Sequence, residues 1–169
     1  MKKVIIIGCP GSGKSTFGRK LKRITDLPLY HLDMMYWNQD KTTVSKEIFI
    51  ERLEKTMNNS QWIIDGNYGS SMEMRLKECD TVFFLDYPTE VCIEGIETRK
   101  GNPRSDMPWI TNDGTDEDFI TFVKNYNSES RPEVIKLLEK YSSKNIIVFH
   151  SREESEIYLL ALQYFLSLT

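Results

Sequence analysis

The sequence predicts a three-layer α/β domain built on a parallel sheet, and three observations carry that reading. Short apolar runs rich in Val, Ile and Phe recur along the chain at Val4–Ile7, Trp62–Ile64, Val82–Leu85 and Ile146–Phe149, with Pro28–Leu32 a weaker fifth. They do not alternate with polar residues, which is how strands covered on both faces read. Helical periodicity fills the gaps between them, and strand–helix alternation is the signature of this architecture. Finally, a glycine-rich turn joins the first run to the first helical segment, as in a strand–loop–helix unit.

Each helical segment has its own signal. Phe17, Leu21 and Ile24 share a face after the glycine-rich turn, and Phe49, Leu53 and Met57 share one after Ser45, with Asn58-Asn59 as the stop. Phe119, Phe122, Val123 and Tyr126 suggest another helix. Pro132 opens the next, with Val134, Leu138 and Tyr141 inward. The clearest apolar stripe is the last: Ile157, Leu160, Ala161, Tyr164, Phe165 and Leu168. The 169 residues fit one domain, 1–169, with no internal repeat.

The turn reads Gly8-Cys9-Pro10-Gly11-Ser12-Gly13-Lys14-Ser15-Thr16 and matches G-x-x-x-x-G-K-[ST], the P-loop. Gly8, Gly11 and Gly13 let backbone N–H groups turn inward around a phosphate. The following helix adds the positive end of its dipole. Lys14 is expected to neutralise β- and γ-phosphates, and Ser15 to ligand Mg²⁺. The nucleotide-binding set is therefore Gly8, Pro10, Gly11, Ser12, Gly13, Lys14, Ser15 and Thr16, with ATP and Mg²⁺ as cofactors.

Right-handed crossovers put a ligand at the carboxyl ends of the strands. There the chain places Asp33, Asp65-Gly66-Asn67-Tyr68, Asp86 and the loop after Phe149. Asp65 is expected to hold the Mg²⁺ water shell, and Asp86 is the alternative. Asp33, beside Tyr30, Tyr36 and Trp37, is the candidate to accept a proton from an acceptor hydroxyl. Trp37, Gly66, Asn67 and Tyr68 are candidates for the acceptor site, with Trp109 a further pocket aromatic. Trp62 reads as core, and His31 as structural or lining the site. Arg99, Arg104 and Arg131 are candidates to meet phosphate charge. Residues 99–115 are polar and rich in Gly and Pro, a lid-like segment able to close over phosphates.

Composition bounds the rest. A net charge of −3 provides no sequence-wide basic field for nucleic acid or anionic membrane. No run is long enough to span a bilayer, and the apolar start is cut off too early by Gly8–Ser15 for a signal peptide. Cys9, Cys79 and Cys92 lack metal spacing and read as buried hydrophobes in a reducing cytoplasm.

Leu29-Tyr30-His31-Leu32-Asp33 with Tyr36-Trp37, Trp62-Ile63-Ile64-Asp65-Gly66-Asn67-Tyr68 and Thr81-Val82-Phe83-Phe84-Leu85-Asp86, after an N-terminal P-loop, resemble the topology-modulation (FlaR-like) proteins, a bacterial branch of the adenylate-kinase-like P-loop kinases. The resemblance implies a P-loop NTPase fold with a five-stranded parallel sheet in the order 2-3-1-4-5 and a lid after the fourth strand. It also implies adenine near Ser151–Glu153, with Arg152 in the nucleotide site. Adenylate kinases carry Asp-Gly-Phe-Pro-Arg where this chain has Asp65-Gly66-Asn67-Tyr68-Gly69, so the arginine that grips a monophosphate is absent there and Arg75 is the candidate replacement. The leading expectation is ATP-dependent phosphoryl transfer to an unidentified nucleotide or other small hydroxyl or phosphate acceptor. The alternatives are a nucleotide-dependent regulatory switch and a DNA-topology accessory protein. No Asn-Lys-x-Asp guanine signature is present.

Overall fold

The structure is a computed structural model and describes residues 1–102, 104–109 and 117–168. Five parallel strands run β1 (Lys3–Gly8), β2 (Leu29–His31), β3 (Trp62–Asp65), β4 (Thr81–Leu85) and β5 (Asn145–Phe149), and the sheet order is β2-β3-β1-β4-β5. That is the expected order. The weak fifth candidate is thus a real strand, and it sits at the edge.

Alternate residues of the central strands feed two separate cores. Val4 and Ile6 of β1 face one with Ile63, Phe83 and Leu85, while Ile5 and Ile7 face the other with Trp62, Ile64, Val82 and Phe84. Since both faces are covered, every position is apolar and the period-2 pattern disappears. The first core is closed by α1 (Lys14–Thr25), α5 (Thr89–Glu97), α6 (Glu117–Glu129) and α8 (Arg152–Ser167). The second is closed by the short α2 (Leu32–Tyr36), α3 (Lys46–Met57), α4 (Gly69–Glu78) and α7 (Arg131–Lys140). Ser45 caps α3 by accepting from Ile48 N, and Pro132 lies in the first turn of α7. Among the described residues no helix is long and apolar enough to cross a membrane.

Two expectations fail at the β5 edge. That strand is not covered on both faces: Val148 is 38% exposed. The stripe read on α8 is not the face that packs. Ile157, Leu160, Tyr164, Phe165 and Leu168 are exposed, whereas α8 docks through Ser155 and Leu159, with Tyr158 and Leu162 partly buried. Tyr158 meets Phe83 and Phe149 at ring centroid distances of 5.3 and 5.5 Å. The reason is compositional. Residues 157–162 are apolar without interruption, so periodicity alone does not choose a side.

Candidate active site

The β1–α1 turn is shaped by what its glycines touch. Gly11 has φ +88°, and a Cβ there would lie 1.9 Å from the Cys92 carbonyl oxygen, so α5 and the loop approach at backbone distance. Gly13 (φ +95°) is the N-cap of α1 and offers no side-chain cap, and no acidic residue lies in the first turn. The first N–H groups of α1 thus have no intrahelical or side-chain acceptor. Ser12 Oγ, beside them, is buried without a hydrogen-bond partner among the described residues. Uncapped donors and an orphaned hydroxyl at a helix N-terminus fit a polyphosphate. Lys14 Nζ donates to the Gly8 and Cys9 carbonyls at 2.8 and 3.0 Å, and burial pulls its pKa below the ordinary lysine value.

A cavity of about 870 Å³ opens from this loop. It is lined by residues 10–17 and by Asp33, Tyr36, Trp37, Gly66, Asn67, Tyr68, Arg99, Arg104 and Arg152, so these candidates share one space. Strand order explains the convergence. β1 and β3 are neighbours, and β2 follows β3, so their carboxyl ends open on the same edge.

On the β2–β3 side, the Tyr68 hydroxyl donates to Asp33 Oδ1 at 2.7 Å. Burial raises the Asp33 pKa, and Tyr68 partly offsets it. Tyr68 holds a left-handed backbone (φ +38°), rare for a bulky residue, and this aims its ring at Asp33. Tyr36 meets Tyr68 and Trp37 at 5.1 and 5.4 Å between centroids, and Trp37 meets Trp109 at 5.4 Å. Trp109 does not itself line the cavity.

Several candidates hold other posts. Asn67 lines the cavity, but its amide clamps Gly8, accepting from Gly8 N at 3.0 Å and donating to Gly8 O at 2.7 Å. Asp65 is buried behind the cavity and pairs with His31 Nδ1 at 2.7 Å rather than with Ser15. Burial opposes a charge on His31, yet the Asp65 carboxylate outweighs it and raises the His31 pKa. Arg75 is corrected from acceptor ligand to scaffold. It is fully buried and donates to the Gly66, Asn67, Tyr68 and Ser71 carbonyls, which fixes the turn after β3. Burial lowers its pKa to about 10. Arg131 is corrected too. Its guanidinium grips Asp86 with two hydrogen bonds of 2.7 Å in a separate pocket beside His150, which also removes Asp86 as a cation carboxylate.

The residue missed by sequence reasoning is Asp106. Ser15 Oγ donates to Asp106 Oδ2 at 2.8 Å, and Arg104 grips the same carboxylate at 2.6 and 3.2 Å. Burial opposes its charge, but Arg104 and Ser15 hold its pKa far below the carboxylate range. The available signal was Arg104-Ser105-Asp106, a cation and an anion two residues apart in the lid-like segment. Arg99 lines the cavity and makes no ion pair among the described residues, and burial with the nearby Arg104 lowers its pKa. Of the 99–115 segment, residues 103 and 110–115 lie outside the described residues. Among the described residues no three His, Cys, Asp or Glu are gathered as a metal site.

Residues 4–120, well over half of the chain, match the AAA domain family. A shikimate kinase of Rhodococcus jostii (strain RHA1) is 28% identical over 116 residues, covering 60% of this chain and 68% of the relative. Among solved structures, shikimate kinase from Acinetobacter baumannii in complex with shikimate superposes with TM-score 0.62 at 16% identity, over 100% of this chain and 95% of that one. A sugar kinase from Janibacter sp. HTCC2649 gives TM-score 0.59 at 17% identity, over 99% and 95%. These structures share the fold. The chain belongs to the AAA domain family.

Proposed function

We propose that this AAA domain family member is an ATP-dependent kinase that phosphorylates a hydroxyl group of a small molecule. One observation carries the reading: a single cavity joins the P-loop, the Asp33–Tyr68 pair and the arginines Arg99 and Arg104. Its volume lies within the range of small-molecule sites, roughly 300–1,000 Å³. The similarity to a shikimate kinase and the fold shared with a sugar kinase support the reaction class.

In this reading residues 11–16 hold the β- and γ-phosphates of ATP, and Arg152 lies toward the base. Ser15 would ligand Mg²⁺, which when bound neutralises charge on the transferring phosphate. Asp106 accepts the hydrogen bond of the Ser15 hydroxyl, which keeps its proton and turns an oxygen lone pair outward. The acceptor oxygen attacks the γ-phosphorus as the bond to the bridging oxygen breaks, and its proton passes to the Asp33 carboxylate. Arg99 balances charge on the phosphoryl group in flight. Asp65 acts at one remove, orienting His31 and supporting the charge on Lys14. The chain works as one unit, 1–169, with residues 99–115 as its lid. The finer kinship with topology-modulation proteins is part of this proposal, and the Asn67 clamp on Gly8 gives their Asp-Gly-Asn-Tyr signature a physical purpose.

ADP release from Mg·ATP, measured against a panel of sugars, cyclitols, hydroxy acids and nucleosides, tests the reading. Acceptor-dependent release that vanishes in Lys14→Ala is expected. Release that ignores every acceptor, or survives in Lys14→Ala, counts against it.

A further inference from the structure

The turn after β3 reaches two parts of the site with two consecutive side chains. Asn67 clamps Gly8 at the end of β1. Tyr68, the next residue, donates its hydroxyl to Asp33 Oδ1 on α2. One stretch of backbone therefore sets the phosphate loop and the candidate base against each other. That stretch is itself held, because the buried Arg75 guanidinium donates to the Gly66, Asn67 and Tyr68 carbonyls.

Tyr68 is anchored at both ends. Its left-handed backbone is paid for by the Arg75 bond at its carbonyl and the Asp33 bond at its hydroxyl. Its ring packs against Tyr36 and Phe49 at centroid distances of 5.1 and 5.2 Å. Burial and the Asp33 charge raise its pKa, so the phenol keeps its proton and stays a donor. Lys14, Arg99 and Arg104 also act on Asp33 and favour its ionised form, while Asp65 opposes it. Their hydrogen bonds go elsewhere: Lys14 to the Gly8 and Cys9 carbonyls, Arg99 to Gly95, Arg104 to Asp106 and Asp65 to His31. Among the described residues, then, Tyr68 is the side chain that grips the carboxylate directly, and it grips one oxygen of the two.

We infer that Tyr68 is a positioning residue for phosphoryl transfer, fixing Asp33 through Oδ1 so that Oδ2 takes the proton of the acceptor hydroxyl. The acceptor oxygen bonds to the γ-phosphorus, the bond to the bridging oxygen breaks and ADP leaves. The acceptor proton ends on Oδ2, and Tyr68 gives up none. The inference rests on the kinase reading and names how that site orients its base.

Tyr68→Phe tests it, since the ring stays and only the hydroxyl goes. With Mg·ATP and an acceptor that is turned over, kcat should fall about tenfold, the cost of a lost hydrogen bond to a charged group. The acidic limb of kcat/KM should move to higher pH by roughly one unit, because the carboxylate loses a donor to its ionised form. The KM for ATP should stay in place. In an Asp33→Asn background the same substitution should change kcat less than twofold, as a residue acting only through Asp33 requires. Carboxyl-carbon magnetic resonance of ¹³C-labelled protein, with Asp33 assigned from Asp33→Asn, should show the same upward shift without turnover. A limb and a carboxyl titration that both stay put in Tyr68→Phe overturn the inference and leave the kinase reading intact. An equal loss of kcat in both backgrounds overturns it too. Failure to release ADP with any acceptor overturns the kinase reading and the catalytic role with it, while an upward carboxyl shift would still show the grip of Tyr68 on Asp33.

Discussion

Asp33 and Arg75 both bind Tyr68, the one at its hydroxyl and the other at its carbonyl, and each makes a distinct demand on experiment. Burial holds the Asp33 pKa above the ordinary aspartate value, so the acidic limb of the kcat/KM profile should lie above that value too. Activity should fall as pH drops and Asp33 takes up its proton. Asp33→Asn should abolish the limb and slow transfer while calorimetry finds ATP affinity unchanged. Equal loss of ATP affinity would mean that Asp33 serves the nucleotide. Arg75 instead supports the backbone. Arg75→Met should leave its carbonyl acceptors without donors and cost at least about 3 kcal/mol of stability in denaturant titration. A loss confined to acceptor KM, with stability unchanged, would restore its role as a ligand. His31 gives a third readout. Its folded pKa is raised, so the stabilisation from its pair with Asp65 is complete below the unfolded value and is lost as pH rises through the folded one. Nuclear magnetic resonance titration should give His31 a pKa above the usual imidazole value, and Asp65→Asn should remove that elevation.

At the level of elements, the sheet and the last helix were legible in the sequence, and the buried face of that helix was not. β1, β3 and β4 are covered on both faces, so each presents an unbroken apolar run too short for a buried helix and bounded by turn residues. α8 has apolar residues around most of its circumference between Ile157 and Leu162, and only packing against Phe83 and Phe149 selects the buried side. Leu159→Ala should therefore destabilise by about 2–5 kcal/mol, whereas Leu160→Ala should stay within about 0.5 kcal/mol. Comparable losses at both positions would show that the exposed stripe is covered in solution. The chemistry of the segment that holds Arg104 and Asp106 was not legible. Arginines attract notice in a phosphate site, while Asp106 acquires meaning only when the fold sets it against Ser15 and Arg104. The same limit applied to Arg131 and Asp86, which the sequence places at strand and helix ends but whose mutual grip depends on α7 meeting β4.

For the whole molecule, the architecture brings an uncapped helix N-terminus, the Asp33–Tyr68 pair and several arginines to one cavity. Ligand that binds only the native state raises its stability, by roughly 2.7 kcal/mol at a hundredfold excess over Kd. For a chain of this length that is about 5–10 °C in Tm. Mg·ATP should produce such a shift, and Lys14→Ala should remove most of it. The P-loop was fully legible because its chemistry is local to nine residues, Gly8–Thr16. The acceptor end was legible only in part: Asp33 stands out in the sequence, but its pairing with the Tyr68 hydroxyl is a property of the folded arrangement. Phosphoryl transfer itself is best tested by following label from γ-labelled ATP in the presence of sugars, cyclitols, hydroxy acids and nucleosides. With the wild-type protein, label should enter an organic product; with Lys14→Ala it should stay in ATP. Label appearing only as inorganic phosphate, at a rate indifferent to every acceptor, would contradict a kinase.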